Sequence, residues 1–156
     1  MITCKEIMSS NVLSIKCTDP ILKAYDLMLN NNIRHLPVVD EQKSLVGILS
    51  ERDIQRAMIL SLNQSGQKEI FLSKLLSVSE LMSSPVLSVD ENSMITDVVK
   101  ELLQNKVSAL MVRDSLGSFT GIITTDDLLS YCIDVLEKNE DLVNKPLSLI
   151  FSNTLF

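Results

Sequence analysis

The chain has 156 residues, 46% of them hydrophobic and 22% charged, with aromatics at only 4% and no Trp, so its core has to be aliphatic. A net charge of −6 and a pI near 4.7 argue against nucleic acid as the main partner and against an anionic membrane surface. No stretch approaches the roughly 18 apolar residues of a membrane span. The first residues, Met1-Ile2-Thr3-Cys4-Lys5-Glu6, lack the basic region and apolar core of a signal peptide. Cys4, Cys17 and Cys132 form neither a C-x-x-C pair nor a Cys/His cluster, which predicts inert thiols, no disulfide framework and no zinc site. The expectation is a soluble, cytoplasmic protein.

Thr3 and Glu6 form a capping-box pattern that predicts a short helical turn at the start. Val12 to Ile15 reads as an extended segment. Thr18-Asp19-Pro20 then supplies helix-cap chemistry with proline at the first helical position. Ile21, Ala24, Tyr25, Met28 and Leu29 follow at helical spacing, and Asn30-Asn31-Asn32 ends the helix. Two β-rich runs, Ile33 to Val39 and Leu45 to Leu49, flank a polar turn and predict a hairpin. A second helix is expected from Glu51.

The pattern then recurs. A shift of 74 residues carries Met8-Ser9-Ser10 onto Met82-Ser83-Ser84, and Gly47-Ile48 onto Gly121-Ile122. Residues 7–57 against 81–131 give 16 identities in 51 pairs, glycine and polar positions among them. The second copy repeats the extended segment at Val86 to Val89. It repeats the helix at Ile95, Val98, Val99, Leu102 and Leu103, ended by Gln104-Asn105-Lys106. It repeats the hairpin at Val107 to Arg113 and Phe119 to Ile123, with the last helix from Thr125. This is a tandem duplication of an α/β unit of order β-α-β-β-α. Each half is too small to bury a comfortable core alone, so the halves should pack together. The expected boundaries are 1–62 for the first repeat, 63–78 for a connector, 79–135 for the second repeat and 136–156 for an apolar tail that docks on its own domain or on a partner chain.

Both halves carry Gly-x-x-Ser/Thr-x-x-Asp at a strand-to-helix junction: Gly47, Ser50 and Asp53, then Gly121, Thr124 and Asp127. Two readings stand side by side. Ser50 and Thr124 suit helix N-caps, with Asp53 and Asp127 completing capping boxes. Alternatively, the helix N-terminus offers N–H groups to an anion while the aspartate accepts hydrogen bonds from ribose hydroxyls. Arg34 and His35 at the hairpin mouth are a candidate phosphate-facing pair or a structural one; Ser108 and Ala109 replace them in the second copy. No P-loop, G-x-G-x-x-G or nucleophile–histidine set is present, and Glu51, Asp126 and Asp127 read as solvated helix-start charges, so no enzyme is expected.

The duplicated unit carrying Ile33-Arg34-His35-Leu36-Pro37-Val38-Val39-Asp40 and Leu45-Val46-Gly47-Ile48-Leu49-Ser50-Glu51-Arg52-Asp53 closely resembles the cystathionine-β-synthase (CBS) domain family, over about residues 3–132. The resemblance implies two repeats packed by pseudo-twofold symmetry, with two clefts between them that take an adenosine nucleotide or adenosyl compound. It implies a stand-alone regulatory module that signals to an unnamed client protein, forms a homodimer and requires no cofactor; the alternative is an adaptor that binds no ligand. One cleft would combine Thr124 and Asp127 with Asp19, Ala24, Ile33, Arg34 and His35. The other would combine Ser50 and Asp53 with Ser93, Val98, Val107, Ser108 and Ala109. Because Ser108 and Ala109 carry no charge, phosphate is expected to bind more tightly at the Asp127 cleft.

Overall fold

The aliphatic alternation of each repeat folds onto a three-stranded sheet. In the computed structural model, which describes residues 2–59 and 76–138, the strands are β1 (Ile15–Lys16), β2 (His35–Val39) and β3 (Leu45–Ser50) in the first repeat. In the second they are β4 (Ser88–Asp90), β5 (Ala109–Arg113) and β6 (Phe119–Thr124). Helices α1 (Ile21–Asn31) and α2 (Glu51–Ile59) belong to the first sheet, α3 (Ile95–Asn105) and α4 (Thr125–Lys138) to the second. The sheet orders are β1-β2-β3 and β4-β5-β6, each with a parallel pair followed by an antiparallel hairpin. The expected β-α-β-β-α order is thus observed twice. Of the expected connector (63–78) residues 63–75, and of the expected apolar tail (136–156) residues 139–156, lie outside the described residues.

Two local expectations need correction. The first strand of each repeat starts later than Val12 or Val86, because parallel pairing places Ile15 on Val38 and Ser88 on Met111. Val12 and Val86 instead leave the ladder and pack on Ala109, Met111 and Ile122 between the two sheets. Pro20 is the N-cap of α1 rather than its first helical residue, and it makes no side-chain cap bond. Asp19 serves local structure, accepting from the Lys16 N–H at 3.2 Å and from Lys23 Nζ at 2.8 Å.

The hairpin turns are closed by equivalent aspartates. Asp40 Oδ1 accepts from the N–H groups of Gln42 and Ser44, as Asp114 Oδ1 does from Leu116 and Ser118. Both turns contain a left-handed residue, Lys43 in the first repeat and Gly117 in the second.

The short opening segments are exchanged between the halves. Residues Thr3 to Glu6 form the expected capping-box turn, yet the segment bonds to the second repeat: the Cys4 N–H to Ser93 O at 2.8 Å, the Ile95 N–H to Ile2 O at 3.1 Å. Ser9 bridges Ile122 in both directions, at 2.9 and 3.0 Å. The equivalent segment, capped by Ser77 and Glu80, bonds back to the first repeat through Ile21 N–H to Leu76 O and a two-way bridge between Ser83 and Ile48. Cys4 lies fully buried in the second core with Val98, Leu102, Leu110, Val112 and Ile123, while Val78 completes the first core with Ile21, Leu36, Val38, Leu49 and Ile54. Burial pushes the Cys4 thiol up to about 11, with Asp127, Asp90 and Glu91 adding to the shift, so this sulfur is protonated and inert.

That exchange accounts for the glycines of the duplicated pattern. A Cβ on Gly121 would stand 2.7 Å from Ser9 O and 2.8 Å from Met8 Sδ. On Gly47 it would stand 2.5 Å from Met82 Sδ and 3.2 Å from Ser83 O. Only glycine lets the crossing segment approach the sheet closely enough to bond to it.

Candidate functional site

At each strand-to-helix junction the chain turns from the hairpin into α2 or α4, and the cap residues hold one another. The Ser50 N–H and Oγ–H donate to Asp53 Oδ2 at 2.9 and 2.6 Å, and the Asp53 N–H returns to Ser50 Oγ at 3.3 Å. Thr124 and Asp127 repeat this at 2.8, 2.6 and 3.3 Å. The capping reading is therefore realised in both copies. It uses only Oδ2 of each aspartate. Ser9 Oγ donates to Asp127 Oδ1 at 3.3 Å, whereas no described residue donates to Asp53 Oδ1. Each carboxylate keeps acceptor capacity toward the space beside it.

Those spaces are two clefts between the repeats. The first, about 440 Å³, sets Thr124, Asp126 and Asp127 of the second repeat opposite Ile33, Arg34 and His35 of the first, with Val12, Leu13 and Ile122 as an apolar wall. The second, about 250 Å³, sets Ser50 and Asp53 opposite Val107, Ser108 and Ala109, with Ile48, Ser83, Arg52, Arg56 and Lys106 around them. His35 lines both, and its Nε2 lies 2.9 Å from Ser108 Oγ, a hydrogen bond across the pseudo-twofold axis. Burial lowers the His35 pKa, and the Arg34 charge beside it lowers it further, so the imidazole is neutral near pH 7.

Ten of the fourteen residues proposed from sequence line these clefts: Ile33, Arg34, His35, Thr124 and Asp127 in one, Ser50, Asp53, Val107, Ser108 and Ala109 in the other. Ala24 and Val98, equivalent under the 74-residue shift, do not, because both face the cores and are fully buried. Asp19 and Ser93, also equivalent, line neither cleft. They anchor the exchanged segments through their carbonyls, Asp19 O accepting from the Val78 N–H and Ser93 O from the Cys4 N–H.

The expected charge balance is overturned. Arg34 is engaged by Asp126 across the cleft, so the Asp127 cleft presents one cation against two carboxylates. The Asp53 cleft presents Arg52, Arg56 and Lys106 against Asp53 alone, and none of the three forms an ion pair with a described residue. Ser108 and Ala109 occupy only the hairpin start of this cleft. Arg52 and Arg56 flank Asp53 one helical turn apart, where the second repeat has Asp126 and Ser130, and that contrast was the available signal. Lys106 comes from the end of α3, at φ 54° and ψ 38°, where the first repeat has Asn32 at φ 51° and ψ 45°. Asparagine tolerates this left-handed conformation better than lysine, so the second repeat holds a cation in the cleft at some backbone cost.

The CBS domain model matches residues 4–60 and 78–134, the two halves of the duplication. The chain belongs to the CBS domain family. A CBS domain-containing protein of Dictyostelium discoideum is 29% identical over 134 residues, covering 85% of this chain and 92% of that one. The homoserine O-acetyltransferase of Methanosphaera stadtmanae is 30% identical over 121 residues, covering 78% of this chain but only 22% of the enzyme. Among solved structures, a CBS domain pair in complex with 5′-methylthioadenosine and S-adenosyl-L-methionine superposes with a TM-score of 0.69 at 25% identity, over 84% of this chain and 95% of that one. The CBS pair is thus a small part of the enzyme and nearly the whole of the other two.

Among the described residues, no helix is long and apolar enough to cross a membrane, and no cluster of His, Cys, Asp or Glu is arranged to hold a metal ion.

Proposed function

We propose that this CBS pair is a regulatory module that binds an adenosyl ligand in the clefts between its repeats and relays the occupied state to a client protein in the cytoplasm. The observation that carries the reading is the pairing, in each cleft, of an aspartate with spare acceptor capacity on one repeat and the hairpin start of the other. A ligand bridging them contacts both halves at once, so binding biases how the halves sit on each other. Asp127 and Asp53 are assigned to the ribose hydroxyls. Ile33, Val12, Leu13 and Ile122 offer the apolar wall for the base in the larger cleft. The adenosyl ligands bound by a structurally similar CBS pair support this ligand class. No cofactor is needed for this role.

The adaptor reading draws on the same caps, since Ser50–Asp53 and Thr124–Asp127 already satisfy one another without a ligand. A thermal-shift panel of adenosine, AMP, ADP, ATP, S-adenosylmethionine and NAD separates the two. A ligand at a hundred times its dissociation constant adds about 2.7 kcal/mol of stability. A shift with at least one adenosyl compound supports the sensor; none with any of them leaves the adaptor.

A homodimer is part of the proposal. Leu29 and Leu103, equivalent under the repeat, are 67% and 72% exposed, and Leu129, Ile133 and Leu136 lie exposed along α4. Sedimentation at micromolar concentration should show a dimer, and a monomer would count against this part of the reading.

A further inference from the structure

We infer that the two clefts select ligands of opposite charge character: the Asp53 cleft, through Arg52, Arg56 and Lys106, takes the polyphosphate form of the ligand, and the Asp127 cleft takes an adenosyl compound with little or no negative charge. This rests on the adenosyl reading above and divides it between the two sites.

Local charge separates the two clefts. The chain has 14 basic against 20 acidic residues, so a cleft with three cations and one carboxylate runs against its overall field. Arg52 and Arg56 stand on one face of α2, and Lys106 arrives from α3 of the opposite repeat, so the cations converge from both walls. None of them is held by an acid among the described residues, so each can donate to phosphate oxygens without giving up an ion pair. In the Asp127 cleft the equivalent positions are Asp126, Ser130 and Asn32. There Arg34 is the one cation, and Asp126 already holds it. A second and third phosphate would find no free cation among the described residues there and a net negative wall, which a nucleoside or a sulfonium-bearing adenosyl compound tolerates.

The test titrates the full chain with adenosine, AMP, ADP, ATP and S-adenosylmethionine by calorimetry, and with sodium tripolyphosphate as an anion without a nucleoside. In the Asp127→Ala chain, which keeps the Asp53 cleft, affinity should rise with phosphate number, ATP exceeding adenosine by at least about tenfold. Arg52→Ser, Arg56→Ser and Lys106→Asn should each remove most of that gain while adenosine changes less than about twofold, and added salt should erode the gain. Lys106→Asn installs the residue that the first repeat uses at this left-handed position, so loss of folding does not confound it. In a chain that combines Asp53→Ala with Arg52→Ser, Arg56→Ser and Lys106→Asn, which keeps only the Asp127 cleft, ATP should bind no better than adenosine.

An affinity order that is the same in both chains overturns the inference, as does an Arg56→Ser effect equal on adenosine and ATP. Tripolyphosphate separates this failure from failure of the adenosyl reading. If it binds and the three substitutions weaken it while no adenosyl compound binds, the cationic site stands and the adenosyl reading falls. If it does not bind, the inference falls.

Discussion

Asp53 and Asp127 hold their cap residues with matching bonds, yet their surroundings have diverged: three cations around the first, an engaged arginine and a second carboxylate beside the other. The difference teaches where this duplication tolerates change. Positions that fold the repeat, namely the cap pair, the close-approach glycine and the hairpin aspartate, are the same or nearly the same in both copies. Charged positions at or beside the clefts are not: Arg52 against Asp126, Arg56 against Ser130 and Arg34 against Ser108. Substitutions across equivalent positions therefore measure which role each residue plays.

The largest expected contrast lies in the cores. Ile54 is fully buried in α2 against the first sheet, while its equivalent in α4, Leu128, is only partly buried. Ile54→Ala should cost about 2 to 5 kcal/mol, transfer and cavity terms together. Leu128→Ala should cost less, about 1 to 2 kcal/mol. Urea unfolding of the two variants checks the order, and equal losses would show that α4 is as deeply anchored as α2.

Next comes the exchanged segment. Gly121→Ala drives a methyl into the Ser9 carbonyl at 2.7 Å, a backbone atom that cannot yield without breaking its bridge to Ile122. The nearest obstacle at Gly47 is the end of the flexible Met82 side chain. Gly121→Ala should therefore destabilise by about 1 to 3 kcal/mol, and Gly47→Ala by less. A reversed order in thermal unfolding would mean that the first repeat, not the second, makes the tighter crossing.

The smallest contrast is set by pH, at a position where only one repeat can titrate. His35 has its pKa lowered by burial and then by Arg34, so protonation favours the unfolded chain. Its contribution is complete above the ordinary value of 6.5 and declines as pH falls below that value toward the lowered folded one. Glu6 and Glu80, whose folded pKa values are lowered by their capping bonds, begin to act only near and below 4.5, so the window between 6.5 and 5 belongs to His35. Unfolding free energies measured across that window should fall with pH in the native chain and stay flat in His35→Gln. An unchanged slope in the variant would assign the effect elsewhere.

How far the sequence could be read follows from the range of each interaction. Helical spacing and strand alternation are local, so the β-α-β-β-α order, the helix ends near Asn32 and Lys106 and the Ser/Thr–Asp caps are all legible. The clefts between the halves follow from the family resemblance, not from the repeat alone. The exchange of opening segments was not legible, because the pairing of Cys4 with Ser93 and of Ser9 with Ile122 leaves no local periodicity. That same exchange explains the misplacement of Asp19 and Ser93, whose carbonyls hold the crossing strands. The family resemblance assigns Ala24 and Val98 to the clefts, whereas their side chains are fully buried in the two cores. Arg52, Arg56 and Lys106 carry no sequence pattern that joins them, because only the tertiary fold brings them to one space.

The claim that one aspartate from each repeat anchors an adenosyl ligand is tested most directly by calorimetric titration with adenosine, in chains confirmed as folded by circular dichroism. The native chain should show two sites, Asp53→Ala and Asp127→Ala one each, and the double variant none. Adenosine binding that survives in the double variant at native affinity would contradict the assignment of both aspartates to the ribose.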